Sequence, residues 1–520
     1  MDDFSNYDKD VFVIKTKMID RGAMMSRYSR AKDLDIRDLY NKEFKNNPDR
    51  AEDFYKRVFL DYGDESVAEL TTAQLGIQNI SNILSKLIEE PRIGLSYLEK
   101  SSRYVRYDKK DKNGYLFLKS YDAGIEKNGD EYDDFCNELF DFYSVAYKEL
   151  MDYFKEKYPI NNFFFEIDGT NYKYSDIKNL DDRAIEKSYK SSLRSAVLDE
   201  IRSVLPASTL TNMGISGNGR AFISLIERLT GYDTAESTKF ADLIYKELKN
   251  EMPELIDEAV SDHGKSQIEY NIKKDFIVNS YRMNYENIND LKLLNYMDEK
   301  KALDLSVKML LYPYYNGYDS INITKDEEIN ILNKLIDIRK NRRNKIGRSF
   351  ENINYVFEVN TNYGAFRELQ RHRFLSIIRK PLSIYYGYDI PEELNKIEKL
   401  RNEYIKLMDK AKMIYMDIKD RSNYKIAQYC VPYGYKYPVI FNANLNELAY
   451  FIELRSGQSV HPDLRKIAIN MYNEIKNVHP ELSRLIKFVD TNNYKLGRLP
   501  SELRKEEKIN KLKNENKFIH

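Results

Sequence analysis

The stretch Arg92-Ile93-Gly94-Leu95-Ser96-Tyr97-Leu98-Glu99-Lys100-Ser101-Ser102-Arg103-Tyr104 sets one carboxylate, three serine hydroxyls, two guanidinium groups and two phenols within thirteen residues. No core helix or strand needs that density of polar function. Glu99, Ser101 and Arg103 alternate, and an extended segment puts alternate residues on one face. A planar anionic ligand could then meet all three: Arg103 offers a bidentate fork, Ser101 donates or accepts, and Glu99 accepts an imide or hydroxyl proton. A second reading stays open at this point, that of an exposed edge strand whose charges keep it soluble. What decides between them lies elsewhere in the chain.

The 520 residues amount to about three domains' worth of chain or two large domains, with apolar content enough for real cores. Lys plus Arg and Asp plus Glu stand at 83 each, so no global field draws the chain to nucleic acid or to an anionic membrane. Two cysteines, Cys136 and Cys430, make neither a disulfide framework nor a cysteine-rich metal site, which fits a reducing cytoplasm. The acidic start Met1-Asp2-Asp3 is unlike a signal peptide, and no apolar run reaches membrane-span length. A cytoplasmic protein is expected.

Apolar positions from Ala51 to Glu90 recur mostly at threes and fours, which predicts helices on either side of Tyr62-Gly63-Asp64. From Asp108 to Ser191 the chain turns Lys-, Asp- and Tyr-rich with a helical patch around Phe135 to Phe154, and reads as an elaboration on the main fold. Arg202-Ser203-Val204-Leu205-Pro206, followed by Asn218-Gly219-Arg220 opening a helix, returns as Gln428-Tyr429-Cys430-Val431-Pro432 and Asn444-Leu445-Asn446, each 226 residues on. Pro253-Glu254-Leu255 returns as Pro480-Glu481-Leu482. The front halves repeat more loosely, with Glu69 ahead of Arg92 and Glu351 ahead of Arg373 at an offset near 281. An internal duplication follows. The expected units are 1–270, carrying the elaboration at 108–191, and 280–500, with a charged tail at 501–520.

In the second copy the opening stretch is replaced by Arg371-His372-Arg373-Phe374-Leu375-Ser376, preceded by Arg367 and Glu368. Such a run makes a local clamp for a phosphate or pyrophosphate, or else a basic helix end facing water. Common motifs fail. Gly214-Ile215-Ser216-Gly217-Asn218-Gly219 lacks dinucleotide-fingerprint spacing, and Gly264-Lys265-Ser266 has Ala259 where a P-loop needs its first glycine. The five histidines have no metal spacing, so no metal is expected, and neither cysteine sits in a nucleophile signature.

The pattern Arg-X-X-X-Ser-X-X-Glu-X-Ser-X-Arg-Tyr after a helix, with Arg-X-X-Leu-Pro and Asn-X-Arg opening a helix, resembles the flavin-dependent thymidylate synthases, the ThyX family, whose signature runs Arg-His-Arg-X-X-Ser-X-Asn-Glu-X-Ser-X-Arg-Tyr. The whole chain looks like two such units in tandem. The resemblance implies an α+β fold, helix-rich with small mixed sheets. It also implies reductive methylation of dUMP to dTMP, with methylenetetrahydrofolate as carbon donor, FAD as hydride carrier and NADPH as reductant. Glu99 and Ser101 would be catalytic. Arg103, Arg202 and Arg455 would hold the nucleotide. Ser66, Glu69, Asn218, Arg220, Asn444, Arg371, His372 and Arg373 would meet the flavin, although Asp64 stands where the family has a histidine.

Neither copy carries the full signature. The first reads Pro91-Arg92-Ile93 for Arg-His-Arg and Leu98 for Asn, while the second reads Ile377-Ile378-Arg379-Lys380-Pro381 and loses the glutamate and second serine. It also has Gln428 for Arg202 and Asn446 for Arg220. The losses are complementary, so the resemblance implies a mosaic site drawn from both halves, in a homodimer that supplies four units and about two flavins. A non-catalytic flavin- or nucleotide-binding paralogue is the other reading.

Overall fold

Two antiparallel sheets organise the chain, each with helices against it. The computed structural model describes residues 3–31, 35–47, 49–62, 65–167, 170–177, 182–279 and 288–517. The first sheet holds β1 (Thr72–Ser81), β2 (Leu95–Glu99) and β3 (Leu210–Asn218) in the order β1-β3-β2. The second holds β4 (Leu291–Asn295), β5 (Asn354–Asn362), β6 (Ser376–Arg379) and β7 (Lys436–Asn444) in the order β6-β7-β5-β4. Every strand pairing among the described residues is antiparallel, so the small sheets are not the mixed ones expected.

The register makes the two units equivalent residue by residue. Ser96 faces Ser216 in the first sheet and Ser376 faces Asn442 in the second, and positions 216 and 442 are separated by the 226 residues of the sequence repeat. After β1 and β5 come short helices, α1 (Asn82–Ile88) and α5 (Tyr363–Leu369), capped by the Ser81 hydroxyl and the Asn362 carbonyl. After β3 and β7 come α4 (Gly219–Tyr232) and α7 (Leu445–Arg455), capped by Asn218 and Asn444. Between these pairs lie α2 (Gly129–Lys157) and α3 (Asp182–Ile201) in the first unit, and α6 (Glu398–Arg421) in the second.

The units meet along a pseudo-two-fold axis. Pro206 bridges Pro432, the Ala207 and Tyr433 amides donate to the Val431 and Leu205 carbonyls at 2.9 Å each, and Ser208 and Gly434 donate to Tyr429 and Ser203. Each bond has a counterpart with the units exchanged.

Three expectations change. The segment Thr72–Ser81 is a strand, not a helix; its Ala73, Leu75 and Ile77 alternate, but a bulge at Asn79 (φ 58°) spaces Ile77 and Ile80 by three and imitates helical period. The strand β2 ends at Glu99, and the Val105 amide closes a turn on the Ser101 carbonyl, so Glu99, Ser101 and Arg103 do not share one extended face. The 108–191 segment is more than an elaboration, because Phe135, Phe140, Tyr143 and Leu150 of α2 belong to the same core as Tyr404, Leu407 and Ala411 of α6. The tail forms α9 after α8 (Pro462–Val478); α9 (Leu499–Lys517) packs on α3 through Lys187–Glu506 and Ser191–Glu502.

Candidate functional site

At the end of β2, Glu99 turns inward and is 7% exposed. Its Oε1 accepts from Arg367 at 2.8 Å and from the Ser85 hydroxyl at 3.1 Å, and its Oε2 accepts from Lys86 Nζ at 3.0 Å. Burial works to raise its pKa, yet Arg367 and Lys86 outweigh it and hold the carboxyl at about 2. A carboxylate so stabilised orders the site and is a weak base. Lys86 and Arg367 occupy equivalent positions on α1 and α5, so the two units contribute one cation each to a single carboxylate.

One turn further on, Arg103 faces a second carboxylate pair. Its Nε and Nη2 donate to Asp199 at 2.8 and 2.9 Å, and its Nη1 donates to Glu368 at 3.0 Å. Arg202 donates to the other oxygen of Glu368 at 3.0 Å. Burial opposes ionisation of Glu368, but Arg103 and Arg202 hold it at about 2. The fork expected to hold a phosphate therefore already holds protein carboxylates, Asp199 in bidentate geometry.

The open cations lie beside this network. Arg371 is exposed and, among the described residues, has no hydrogen-bond acceptor; both terminal nitrogens of Arg455 likewise have none. The charges of Arg103, Arg371 and Glu368 all act on Arg455, whose pKa burial lowers. Arg455 Nε donates to His372 Nε2 at 2.9 Å, which makes that nitrogen an acceptor and leaves Nδ1–H to face Glu447 at 3.2 Å. Burial depresses the His372 pKa, so the ring is a neutral spacer for Arg455 and not a cation of the clamp. Arg373 donates to the Ser96 hydroxyl at 3.0 Å and lies over the Tyr97 ring, which ties the second unit's clamp to the first unit's strand. Ser101, half-buried, accepts from the Arg103 amide at 3.3 Å and keeps its own proton to donate.

The structure thus brings Arg103, Arg202, Arg371, Arg373, Arg455 and Ser101 together across the two units. It keeps the remaining set apart. Arg220 pairs with Glu69 at 2.9 Å, both half exposed, and the Asn218 amide donates to Gly94 just before the far end of β2, about 16 Å along the strand from Glu99. Asn446 meets Glu351 at 3.1 Å in the equivalent place. The side chains of Asn218 and Asn444 serve as helix caps, and Ser66 lies on the turn Glu65–Leu70 with its side chain, like Asp64, outside the described residues. Sequence reasoning missed Lys86 and Asp199; only the spacing of Asp199 and Arg202, one turn apart at the end of α3, hinted at the latter. Among the described residues no His, Cys, Asp and Glu group could hold a metal ion, and no helix is long and apolar enough to cross a membrane.

The family model described as thymidylate synthase complementing protein matches residues 16–254 and 292–481, most of both units. The chain belongs to that family. The thymidylate synthase complementing proteins are the ThyX family of the sequence resemblance, and the two matched segments accord with a tandem form. A UPF0159 protein of Thermoplasma acidophilum is 51% identical over 494 residues, covering 94% of this chain and 99% of its own. One of Chlamydia pneumoniae is 32% identical over 540 residues and 96% of both chains. A flavin-dependent thymidylate synthase of Sulfurisphaera tokodaii is 28% identical over 214 residues, 38% of this chain and 77% of its own.

Proposed function

We propose that the chain methylates dUMP reductively to dTMP at a site assembled from both units. The observation that carries this reading is the meeting of Arg103 and Arg202 of the first unit with Glu368 and Arg455 of the second, with Arg371 acting on Arg455 and Arg373 reaching Ser96 of the first unit's strand. Two open guanidinium ends, on Arg371 and Arg455, suit the phosphate of the nucleotide, since each charge-assisted contact is worth about 1.5–3 kcal/mol. Ser101 donates to the pyrimidine, and Asp199 and Glu368 hold Arg103 and Arg202 rigid beside it.

The residues fit FAD in part. Arg373 keeps guanidinium nitrogens free beside Ser96, and Arg220, Asn218 and Glu69 form a second polar cluster along the same strand that reaches a long dinucleotide. A bound reduced flavin would supply the hydride that turns the methylene carbon of methylenetetrahydrofolate into methyl, with NADPH returning it to the reduced state. On the other side of the axis Glu90 pairs with Arg379, so one site per chain is part of the proposal. Ile93, Leu98, Phe374 and Ile378 are all more than two-thirds exposed, which supports burial of apolar surface against another copy in a homodimer.

The test is formation of dTMP by purified protein supplied with dUMP, methylenetetrahydrofolate, FAD and NADPH. Turnover supports the proposal. Nucleotide binding without turnover supports the non-catalytic reading, which the neutralisation of Arg103 and Arg202 by protein carboxylates favours.

A further inference from the structure

Between the C-terminal end of α3, the turn joining β5 to α5, and the start of α8 lies a cavity of about 1000 Å³. That volume is at the upper end of small-molecule sites. Ser203, Thr361, Asp389 and Asp463 line it, whereas Glu99, Ser101, Arg103, Arg371 and Arg455 do not. Part of its wall, Asn493 to Arg498, follows the second matched family segment, which ends at residue 481.

The other unit shows the same place filled. There the Glu236 carboxylate accepts from the Ser81 amide and hydroxyl at 2.7 and 2.6 Å and from the phenol of Tyr429 at 2.9 Å, and all three residues are buried. The equivalent carboxylate in the second unit is Asp463, whose one hydrogen-bond donor among the described residues is the Asn362 side-chain amide at 2.6 Å. Ser203 stands 226 positions before Tyr429, and Thr361 stands at the front-half equivalent of Ile80, which is fully buried. A phenol and an apolar side chain are replaced by two hydroxyls, and the cavity takes their place.

The carboxylates of this wall are short of positive charge. Asp389 accepts from the same Asn362 amide at 3.1 Å, so two carboxylates share one neutral donor. Their side chains, 42% and 44% exposed for Asp389 and Asp463, are open to the cavity. Lys436 is 3.7 Å from Asp389 but 2.8 Å from Asp290, which also takes Lys466 at 3.4 Å, so three carboxylates face two lysines. His461 does not supply the missing charge, because its Nδ1 accepts from the Asp463 amide at 3.2 Å and carries no proton there. Thr361, only 6% exposed, lines the same wall with a hydroxyl that has no hydrogen-bond partner among the described residues and is not sealed off from solvent. Hydroxyls of such buried residues are nearly always paired, so this one points to a ligand that completes the set.

We propose that this cavity binds a primary ammonium group carried on an alkyl chain. Its three N–H donors match three acceptors, the Asp389 carboxylate, the Asp463 carboxylate and the Thr361 hydroxyl, and its charge balances the uncompensated carboxylate. The alkyl chain lies along Tyr158, Tyr388 and Ile390. A free diamine and a lysine-type amino acid both present this group and differ at the other end. The proposal stands apart from methyl transfer, because dUMP binding is read separately.

Calorimetric titration of the full chain with 1,4-diaminobutane, L-lysine and butane-1,4-diol tests it. At least one of the amines binds and the diol, which has the diamine's chain without its charge, does not; the tighter amine names the source. Asp463→Asn, which keeps the shape and removes the charge, and Thr361→Val, which removes the hydroxyl, each weaken amine binding at least about tenfold and leave dUMP binding unchanged. In thermal unfolding the amine raises the midpoint of the wild type and not that of Asp463→Asn. Absence of binding by both amines at millimolar concentration, equal binding of the diol, or binding that survives both variants overturns the assignment.

Discussion

Glu99 and Arg379 occupy the same register position in the two sheets, opposite Met213 and Val439, and carry opposite charge. Each is neutralised from the other unit's side: Glu99 by Arg367, and Arg379 by Glu90 at 3.0 Å, with Arg228 3.6 Å from the same Glu90 oxygen. Glu90 stands where the second unit has Arg371, and at the equivalent of Arg202 Gln428 is buried against Tyr232. One side of the pseudo-two-fold axis presents open guanidinium ends. The other is closed by an ion pair.

Nucleotide affinity is therefore expected to depend on one side only. Arg371→Ala and Arg455→Ala each weaken dUMP binding by roughly one to two decades, from about 1.5–3 kcal/mol per charge-assisted contact. Arg379→Ala leaves the dissociation constant unchanged while lowering stability. Titration calorimetry on the three variants separates the sides; equal losses for all three would mean that the assignment is wrong.

Glu368 is expected to matter for stability. Replacing it by Ala leaves Arg103 and Arg202 buried without a shared anion, at a cost of about 3–5 kcal/mol in urea unfolding at neutral pH. Its carboxyl sits near 2 against an ordinary 4.5, so its contribution is complete above 4.5 and fades as pH falls toward 2. The gap between wild type and Glu368→Ala should close over that window. A gap independent of pH would remove the ion pair as its cause.

The second copy of the repeat, the helix starts at Asn218 and Asn444 and the complementarity of the two halves were all legible, because they rest on local spacing and caps. The partners were not. Arg103 meets Asp199, 96 residues on, and Glu368, 265 residues on, and nothing in a local pattern says that a fork built for an anion already holds one. The strand at Thr72–Ser81 was misread for a related reason: one inserted residue at a bulge shifts the apolar period, and only the partner strand fixes the true register.

Glu200 gives a pH dependence of opposite sign. Burial pushes its carboxyl up to about 8, while its Oε2 accepts from the Glu393 and Leu394 amides. A carboxyl raised on folding stabilises most below its ordinary pKa, and that stabilisation is lost as pH rises from 4.5 through 8. Glu200→Gln, which keeps the acceptor without the charge, should be more stable than wild type at pH 9 and gain nothing at pH 4, by thermal unfolding. A constant difference across that range would contradict the buried acid.

The exposed apolar side chains Ile93, Leu98, Phe374 and Ile378 predict a self-association face. Leu98→Glu replaces one exposed apolar side chain of this surface by a charge and should convert a dimer to monomer in light scattering. A dimer unaffected by the substitution would locate the contact elsewhere.

The number of sites tests the central claim most directly. Titrating dUMP and FAD into protein of known concentration, with mass from light scattering, should give one equivalent of each per chain, two per dimer. Two equivalents per chain would contradict a site assembled once from both units, and none would contradict the proposed function itself.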